Sequence, residues 1–589
     1  MRHATDAAQA AALLDGVPAG RRVAVVDSRL VGHRHALRLG LTDPRFEAGA
    51  VPGAVAVAPE ARSALARALR EFAGAAPASG AAARLPGAAT DVRGLADHLA
   101  AALDAAGTAV HRPELGLLVA EVPADATARA EALRAVDAVD DEEVRLRSAV
   151  KARDGFFTTF CISPYSRYLA RWCARRGLTP NQVTTASLLT ALVAAGCAAT
   201  GSRAGFVAAG VLLLLSFVFD CTDGQLARYA LKYSTLGAWL DATFDRAKEY
   251  AYYAGLALGA SAASGDDVWA LALGAMVLQS CRHVVDFAFT EANAGQTGNT
   301  SPTAALSDRL DGVAWTVWLR RMIVLPIGER WALIAVLTAA TTPRTTLVVL
   351  LVGSAFAALY TTAGRVLRSL TRQAARADRA VRALADLTDR GPLGDSFAAV
   401  LQGPAARLPS FAAPAVALLG GAAVVAASAF APYGSGWPVL AACVACATTG
   451  LATATPLKGA LDWLVPPFFR AAEYGTVLVL AARATADGAL PAAFGLVAAY
   501  AYHHYDTVYR IRGDAGAPPV WLVRSIGGHE GRTLLVTVLA WGLAGSGLTA
   551  ALTALAVLVA LVVLTESIRF WTTRMPSGVP AVHDEGEPA

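Results

Sequence analysis

The stretch Phe219–Tyr250 reads FDCTDGQLARYALKYSTLGAWLDATFDRAKEY. Asp220 and Asp223 lie three apart, and Asp241 and Asp245 four apart, so on helices each pair shares a face. Apolar sequence precedes the first pair and follows the second, which places a tight turn of two helices here and brings the pairs together. Four carboxylates converging beside a membrane cannot all stay ionised unless cations compensate them. Oxygen ligands fit hard divalent ions, and no His accompanies the cluster, which argues against zinc. The plainer alternative is that these are solvated loop charges or partners of Arg228, Lys232 and Arg246. Loop charges do not need small residues at fixed intervals. Gly224 and Ala227 extend the first acidic face by one turn, and Gly237 precedes Asp241 by one turn, leaving room for a flat or phosphorylated ligand.

Working outward, the chain is built for lipid. Hydrophobic residues make up 55% and charged residues 16% of 589, with a mean hydropathy of +0.45. That charge is too low to cover a soluble protein of this size. Apolar segments of roughly 15 to 22 residues, about bilayer length, fall near 183–201, 205–222, 235–260, 268–289, 331–342 and 345–364. A second set falls near 411–431, 437–455, 464–483, 489–505, 533–546 and 548–568. Arginines gather on alternate connections, as in Arg167–Arg176, Arg228, Arg309–Arg321, the run Arg365–Arg382, and Arg510–Arg532. The positive-inside rule then puts both termini and the acidic cluster on the cytoplasmic side of the cell membrane. The expected fold is mainly α: a polytopic helical membrane protein of about twelve transmembrane helices in two six-helix units.

Residues 1–150 differ, alternating short apolar runs such as Val23–Val26 and Leu117–Val119 with Ala/Arg-rich helical stretches, as a small cytoplasmic α/β domain does. Gly74–Ala89 reads as a long loop, and Asp140–Gly155 as a polar helix leading to the membrane. The expected division is 1–150, a membrane domain over 151–370, an Arg-rich linker over 371–405, a second membrane unit over 406–575 and a disordered tail over 576–589. Cys443 and Cys446 form a CxxC inside an apolar run without a second pair, and read as packing residues.

A weak internal repeat links the halves. Arg246-Ala-Lys-Glu-Tyr250 is answered by Arg470-Ala-Ala-Glu-Tyr474, and His283–Asp286 by His503–Asp506. Trp318–Arg321 with the following GERWALI is answered by Trp521–Arg524 with HEGRTLL. The second half lacks the aspartates: Val465 and Phe469 take the places of Asp241 and Asp245, and Asp462 stands alone.

From Asp220 to Asp245 the sequence follows DxxDGxxAR, eight residues, then GxxxDxxxD, with all eight fixed positions filled. This resembles the signature of the CDP-alcohol phosphotransferase family, and Leu178–Thr184, LTPNQVT, resembles that family's entry to its first helix. The resemblance covers about residues 155–370. It implies a metal-dependent membrane transferase of phospholipid or polar head-group biosynthesis that moves a phosphoalcohol from CDP to an acceptor hydroxyl and releases CMP. By motif, Asp220, Asp223, Asp241 and Asp245 would hold Mg²⁺ or Mn²⁺, as two ions, with Asp245 also the catalytic base. Gly224, Ala227, Arg228 and Gly237 would bind the CDP moiety. Arg246, Lys248, Arg282 and Arg321 are candidates for an acceptor's anionic group, or simply membrane anchors. His283 and Asp286 are a polar pair without an assigned role.

Arg145–Phe160 resembles the junction of relatives that carry a cytidylyltransferase ahead of the membrane domain. Residues 1–150 lack a Gly-rich nucleotide loop and are short for that fold, so the expectation is a degenerate, non-catalytic remnant or a regulatory domain. The second unit resembles an actinobacterial accessory domain of unknown function, and a fused inactive copy would act as a built-in partner, a pseudo-dimer, in a family that is generally homodimeric. The competing class is a transporter or scaffold, suggested by the repeat. Such a protein would carry its carboxylates near mid-membrane in both halves, whereas here they cluster at one edge of one half.

Overall fold

A computed structural model describes residues 2–573 apart from 19, 44–45, 75–93, 152–153, 294–317, 319–321, 372–375, 514 and 544. The tail over 576–589 and most of the Gly74–Ala89 loop therefore lie outside the described residues.

The N-terminal region is α/β. Strands β1 (Val23–Val26), β3 (Ala48–Val51), β4 (Ala54–Val57) and β5 (Val110–His111) form one sheet in the order β1-β4-β3-β5, while β2 (Val31–Gly32) pairs with β6 (Ala120–Glu121). β3 and β4 are small and apolar throughout and buried along their length, and Gly53, at φ +78°, closes the hairpin between them. Helices α1 (Ala7–Asp15), α3 (Arg62–Gly74) and α4 (Leu95–Ala105) cover the sheet through Leu14, Leu65, Leu69, Leu99 and Leu103. α2 (Arg34–Leu41) packs on β3 and β4, and α5 (Ala126–Asp137) on β2. The run Leu117–Val119 is not a strand, because Gly116, at φ +55°, turns the chain and Leu118 closes a turn onto Leu115 before β6 begins.

α6 (Asp141–Ser148) joins this region to α7 (Ser163–Arg175). Glu142 accepts from Arg171 at 2.8 Å and Arg175 at 2.9 Å, and those hydrogen bonds, Arg171's first, hold its carboxyl below the usual range.

Helices follow at all twelve expected apolar segments. The first six are α8 (Pro180–Ala199), α9 (Arg203–Ala230), α10 (Thr235–Ser264), α11 (Trp269–Ala292), α12 (Ile327–Ala340) and α13 (Pro343–Thr371). After α14 (Asp378–Leu387) and α15 (Pro392–Ala405) come α16 (Ala412–Phe430), α17 (Trp437–Thr453), α18 (Val465–Arg483) and α19 (Ala489–Arg512). The short α20 (Val520–Ile526), then α21 (Gly528–Gly542) and α22 (Ser546–Thr573), complete the set. Five of them, α8, α9, α13, α16 and α22, are long and apolar enough to cross a membrane. Their outward faces expose Val211, Val352, Leu359, Leu419 and Leu561, as lipid-facing helices do. This is a membrane protein. Length and composition alone pick out these five and do not show the expected twelve, because α10 and α11 carry several charged residues within their turns and α12 and α21 are short.

Small residues set the spacing of the first unit. A Cβ on Gly255 or Gly259 of α10 would lie 2.4 or 2.1 Å from the carbonyl of Ala195 or Ala198 on α8, so these glycines let the two backbones touch.

The repeat is structural. α8 packs on α9 and α10, α7 and α12 on α9, and α13 on α11; in the second unit α16 packs on α17 and α18, α15 and α21 on α17, and α22 on α19. The buried ion pairs recur as well. Glu249 meets Arg246 at 2.9 Å and Arg330 at 3.1 Å; Glu473 meets Arg470 and Arg532, each at 2.6 Å. Glu329 accepts from the backbone N–H of Phe157 at 3.2 Å, and Glu530 from those of Gly391 and Gly394 at 2.9 and 2.8 Å. The units meet through α10 on α19 and α11 on α18, pairings that exchange under the repeat, so the interface has an approximate two-fold.

Arg532 is buried between Glu473 and Asp389, the latter 2.7 Å away. Arg532→Ala should therefore cost about 3–5 kcal/mol, the penalty for orphaning buried charges. Thermal unfolding of the purified chain in detergent reads this, and a loss below about 1 kcal/mol would show that another cation or water reaches these carboxylates.

Candidate metal and phosphate site

The site forms where α9 turns into α10. α9 is capped by Leu231 in the left-handed region, φ +51°, a conformation a branched residue adopts only under constraint. Three residues on, Ser234 caps α10 by accepting from the N–H of Gly237 at 2.9 Å. The short turn folds the helices back on each other, and the three- and four-residue spacings point the acidic faces inward. Oxygens of Asp220, Asp223 and Asp241 all lie within 4.8 Å of one another. Asp223 is 4% exposed, and its Oδ2 is buried without a hydrogen-bond partner.

Asp245 is placed differently. Lys248 Nζ lies 2.7 Å from Asp245 Oδ1 and also donates to Asp220 Oδ1. Lys248 is fully buried, donates to Ser187 Oγ on α8 at 3.1 Å, and lies over the Trp331 ring. One ammonium thus bridges two of the four carboxylates. Arg246, the next cation on α10, turns instead to Glu249 and to His283 Nδ1, 3.3 Å away.

Three clustered carboxylates, one with an orphaned buried oxygen, suit a divalent cation: the donors are all oxygen, and burying this excess charge unpaired would be costly.

The remaining candidates from the signature divide. Gly224 meets only the tip of Arg228, 3.5 Å from an added Cβ, so packing does not demand a glycine and the space beside it is open to a ligand. At Gly237 packing is tighter: a Cβ there would lie 2.7 Å from both Asn181 Oδ1 and Ser234 Oγ and would displace those side chains, the second of which caps α10. Ala227 is half-buried on the same face. Arg228 donates through Nε to the carbonyl of Ala149 at 2.6 Å, tying the N-terminal region to α9.

The four cations suggested for an acceptor pocket are not brought together. Lys248 serves the carboxylates, Arg246 pairs with Glu249, and Arg282 donates to the carbonyls of Val324 and Leu325 ahead of α12; Arg321 lies outside the described residues. The physical reason is depth: these side chains are buried among helices, where an unpaired charge is not tolerated. His283 bonds Tyr505 of the second unit, and Asp286 pairs with Arg365. The role of Lys248 was legible in principle, since Asp241, Asp245 and Lys248 fall at i, i+4 and i+7 on one face. Its contacts with Ser187 and Trp331 come from other helices and were not.

Comparison with known proteins bears on this geometry. The sequence model of a family described as CDP-alcohol phosphatidyltransferase matches residues 177–377, the segment that holds all four aspartates. That segment belongs to the CDP-alcohol phosphatidyltransferase family. Residues 378–589, which follow the phosphatidyltransferase segment directly, match a family of unknown function (DUF5941). A phosphatidylinositol phosphate synthase of Streptomyces avermitilis is 38% identical over 103 residues, 17% of this chain and 39% of that protein. An archaetidylinositol phosphate synthase of Pyrococcus horikoshii is 34% identical over 91 residues, 15% of this chain and 47% of that protein. A bifunctional IPC transferase and DIPP synthase of Aquifex aeolicus is 29% identical over 128 residues, 21% of this chain and 29% of that protein. The chain thus spans less than half the length of each of these relatives.

Metal binding tests the cradle directly. After chelation, adding Mg²⁺ or Mn²⁺ at one hundred times its Kd should stabilise the protein by about 2.7 kcal/mol. Asp223→Asn should lose most of that gain in a thermal unfolding series, and an undiminished gain would exclude these carboxylates as ligands.

Proposed function

We propose that the chain is an integral membrane CDP-alcohol phosphotransferase. The observation that carries this reading is the convergence of Asp220, Asp223 and Asp241 within a segment of the phosphatidyltransferase family. In it, Asp220, Asp223 and Asp241 would hold divalent ions, Mg²⁺ or Mn²⁺ and two in number. When bound, such ions neutralise pyrophosphate charge and favour in-line attack. Gly224 and Ala227 leave room for the cytidine diphosphate, whose pyrophosphate lies beside the carboxylates. The acceptor hydroxyl attacks the phosphorus that carries the alcohol, the bond to the cytidylate oxygen breaks, and CMP leaves. Asp245 receives the hydroxyl proton. Lys248 holds Asp245 and Asp220 in register, so that the base and the ligand set cannot separate.

The names of the relatives favour a lipid-type donor with an inositol-containing acceptor over a soluble CDP-polyol. All twelve apolar helices cross the cell membrane in this reading, with both termini and the acidic cluster in the cytoplasm. The division into 1–150, 151–370, 371–405 and 406–575 is part of the same reading. The second unit serves as an internal partner, a pseudo-dimer, supported by the two-fold packing of α10 and α11 on α18 and α19. Residues 1–150 act as a non-catalytic cap, tied on through Glu142 and Ala149.

CMP release from a panel of CDP-alcohols, with and without inositol phosphate, glycerol phosphate and unphosphorylated acceptors, is the test. Release should require both metal and acceptor, and Asp245→Asn should lower it by about 10²–10⁴-fold, the range of general-base catalysis. Release that survives in the variant would remove Asp245 as the base; no release from any donor would overturn the enzyme reading.

A further inference from the structure

The second unit carries a cavity between the end of α17 and the loop that leads into α18. The register set by Arg470–Tyr474 puts Val465, Phe469 and Ala472 at the places of Asp241, Asp245 and Lys248. None of these three lines the cavity, which is bounded instead by Ala452 at the end of α17 and Thr455 two residues beyond it. The cavity, of about 190 Å³, also touches Ser410, Val416, Lys458 and Asp462. By volume it has room for on the order of a dozen waters.

The cavity is built rather than collapsed. Arg376 donates to the carbonyls of Leu457 and Ala460 at 3.1 Å each and pins the loop that forms one wall. Gly459 keeps that loop against Ser410, since a Cβ would lie 2.5 Å from the Ser410 carbonyl. Asp462 is 4% exposed; its Oδ2 accepts from the N–H of Gly459 at 2.7 Å, and its Oδ1 is buried with no hydrogen-bond partner. That oxygen needs a donor. Lys458 lies exposed at the wall and makes no ion pair among the described residues.

One carboxylate in place of four cannot supply the oxygen-rich shell of a divalent ion. A ligand here must bring its own negative charge to Lys458 and a hydroxyl to Asp462, while covering the apolar floor at Val416 and Ala452. We infer that this cavity is a second, metal-independent binding site for a phosphorylated polyol, either free or as the head group of a lipid. The inference stands on this cavity and its orphaned carboxylate oxygen and goes beyond the catalytic reading of the first unit.

The test uses the full chain carrying Asp223→Asn and Asp241→Asn, which disables the first site yet keeps both partners of Lys248, in chelator. Glycerol 3-phosphate and inositol 1-phosphate are titrated by calorimetry. In parallel, the protein is reconstituted in phosphatidylcholine nanodiscs with and without phosphatidylinositol, and retained lipid is read by native mass spectrometry. Lys458→Glu, a change on an exposed loop side chain, should weaken the bound probe at least tenfold. Binding of the soluble phosphates, lost in that variant, assigns a free ligand; retention of phosphatidylinositol alone, lost in that variant, assigns a lipid head group. Binding of neither probe, or binding that Lys458→Glu leaves unchanged, overturns the inference. CMP release by the unmutated chain reads the first site separately, so the two readings fail independently.

Discussion

The structure depends on how four carboxylates are kept together at one end of a helix pair. Gathering Asp220, Asp223, Asp241 and Asp245 inside a low-dielectric helical bundle is unfavourable unless cations share the space. The protein supplies one of its own, Lys248, buried and bridging Asp220 to Asp245. The rest of the first unit is arranged around that charge. Ser187 on α8 accepts from the ammonium, Trp331 on α12 lies against it, and the glycines of α10 let α8 come close enough to do so. The remaining negative charge is what a bound metal would neutralise.

The two units show which parts of this design are separable. Both keep a glutamate on the third helix of the unit held between two arginines, and a second glutamate that caps the incoming chain. Removing one partner of such a buried set leaves an uncompensated charge, which is far more damaging than replacing the whole set. The carboxylates and their lysine form another interdependent set. In the second unit Val465, Phe469 and Ala472 stand at the places of Asp241, Asp245 and Lys248, so those carboxylates and their lysine are gone together. A charge cluster that no longer holds metal would be a liability, and its complete loss is physically easier than a partial one.

The interface between units lies close to the proposed chemistry. Tyr505 of α19 bonds His283 and lies under Arg246, the residue next to Asp245, while Trp239 stacks on Trp571. The helix that carries half of the acidic cluster is therefore braced on one side by α8 and on the other by the second unit. That bracing restricts rotation of α10, on which the facing of Asp241 and Asp245 depends.

Hydropathy and spacing by themselves determined much of this protein. Apolar runs located all twelve helices of the two units, because a helix that meets lipid or a bundle must be apolar over most of its length. The i, i+3 and i, i+4 spacings put the aspartates on common faces, since that follows from helix geometry alone. What the tertiary structure decided is the partner of each charge. Lys248, Arg246 and Arg282 read alike in the sequence as cations near a membrane edge, yet one faces the carboxylates, one a glutamate and one backbone carbonyls. Such choices are made by contacts between helices far apart in the chain, as between Lys248 and Ser187 or Arg330 and Glu249. No local pattern encodes them, because in a buried setting a charge takes whichever opposite partner the packing brings within reach.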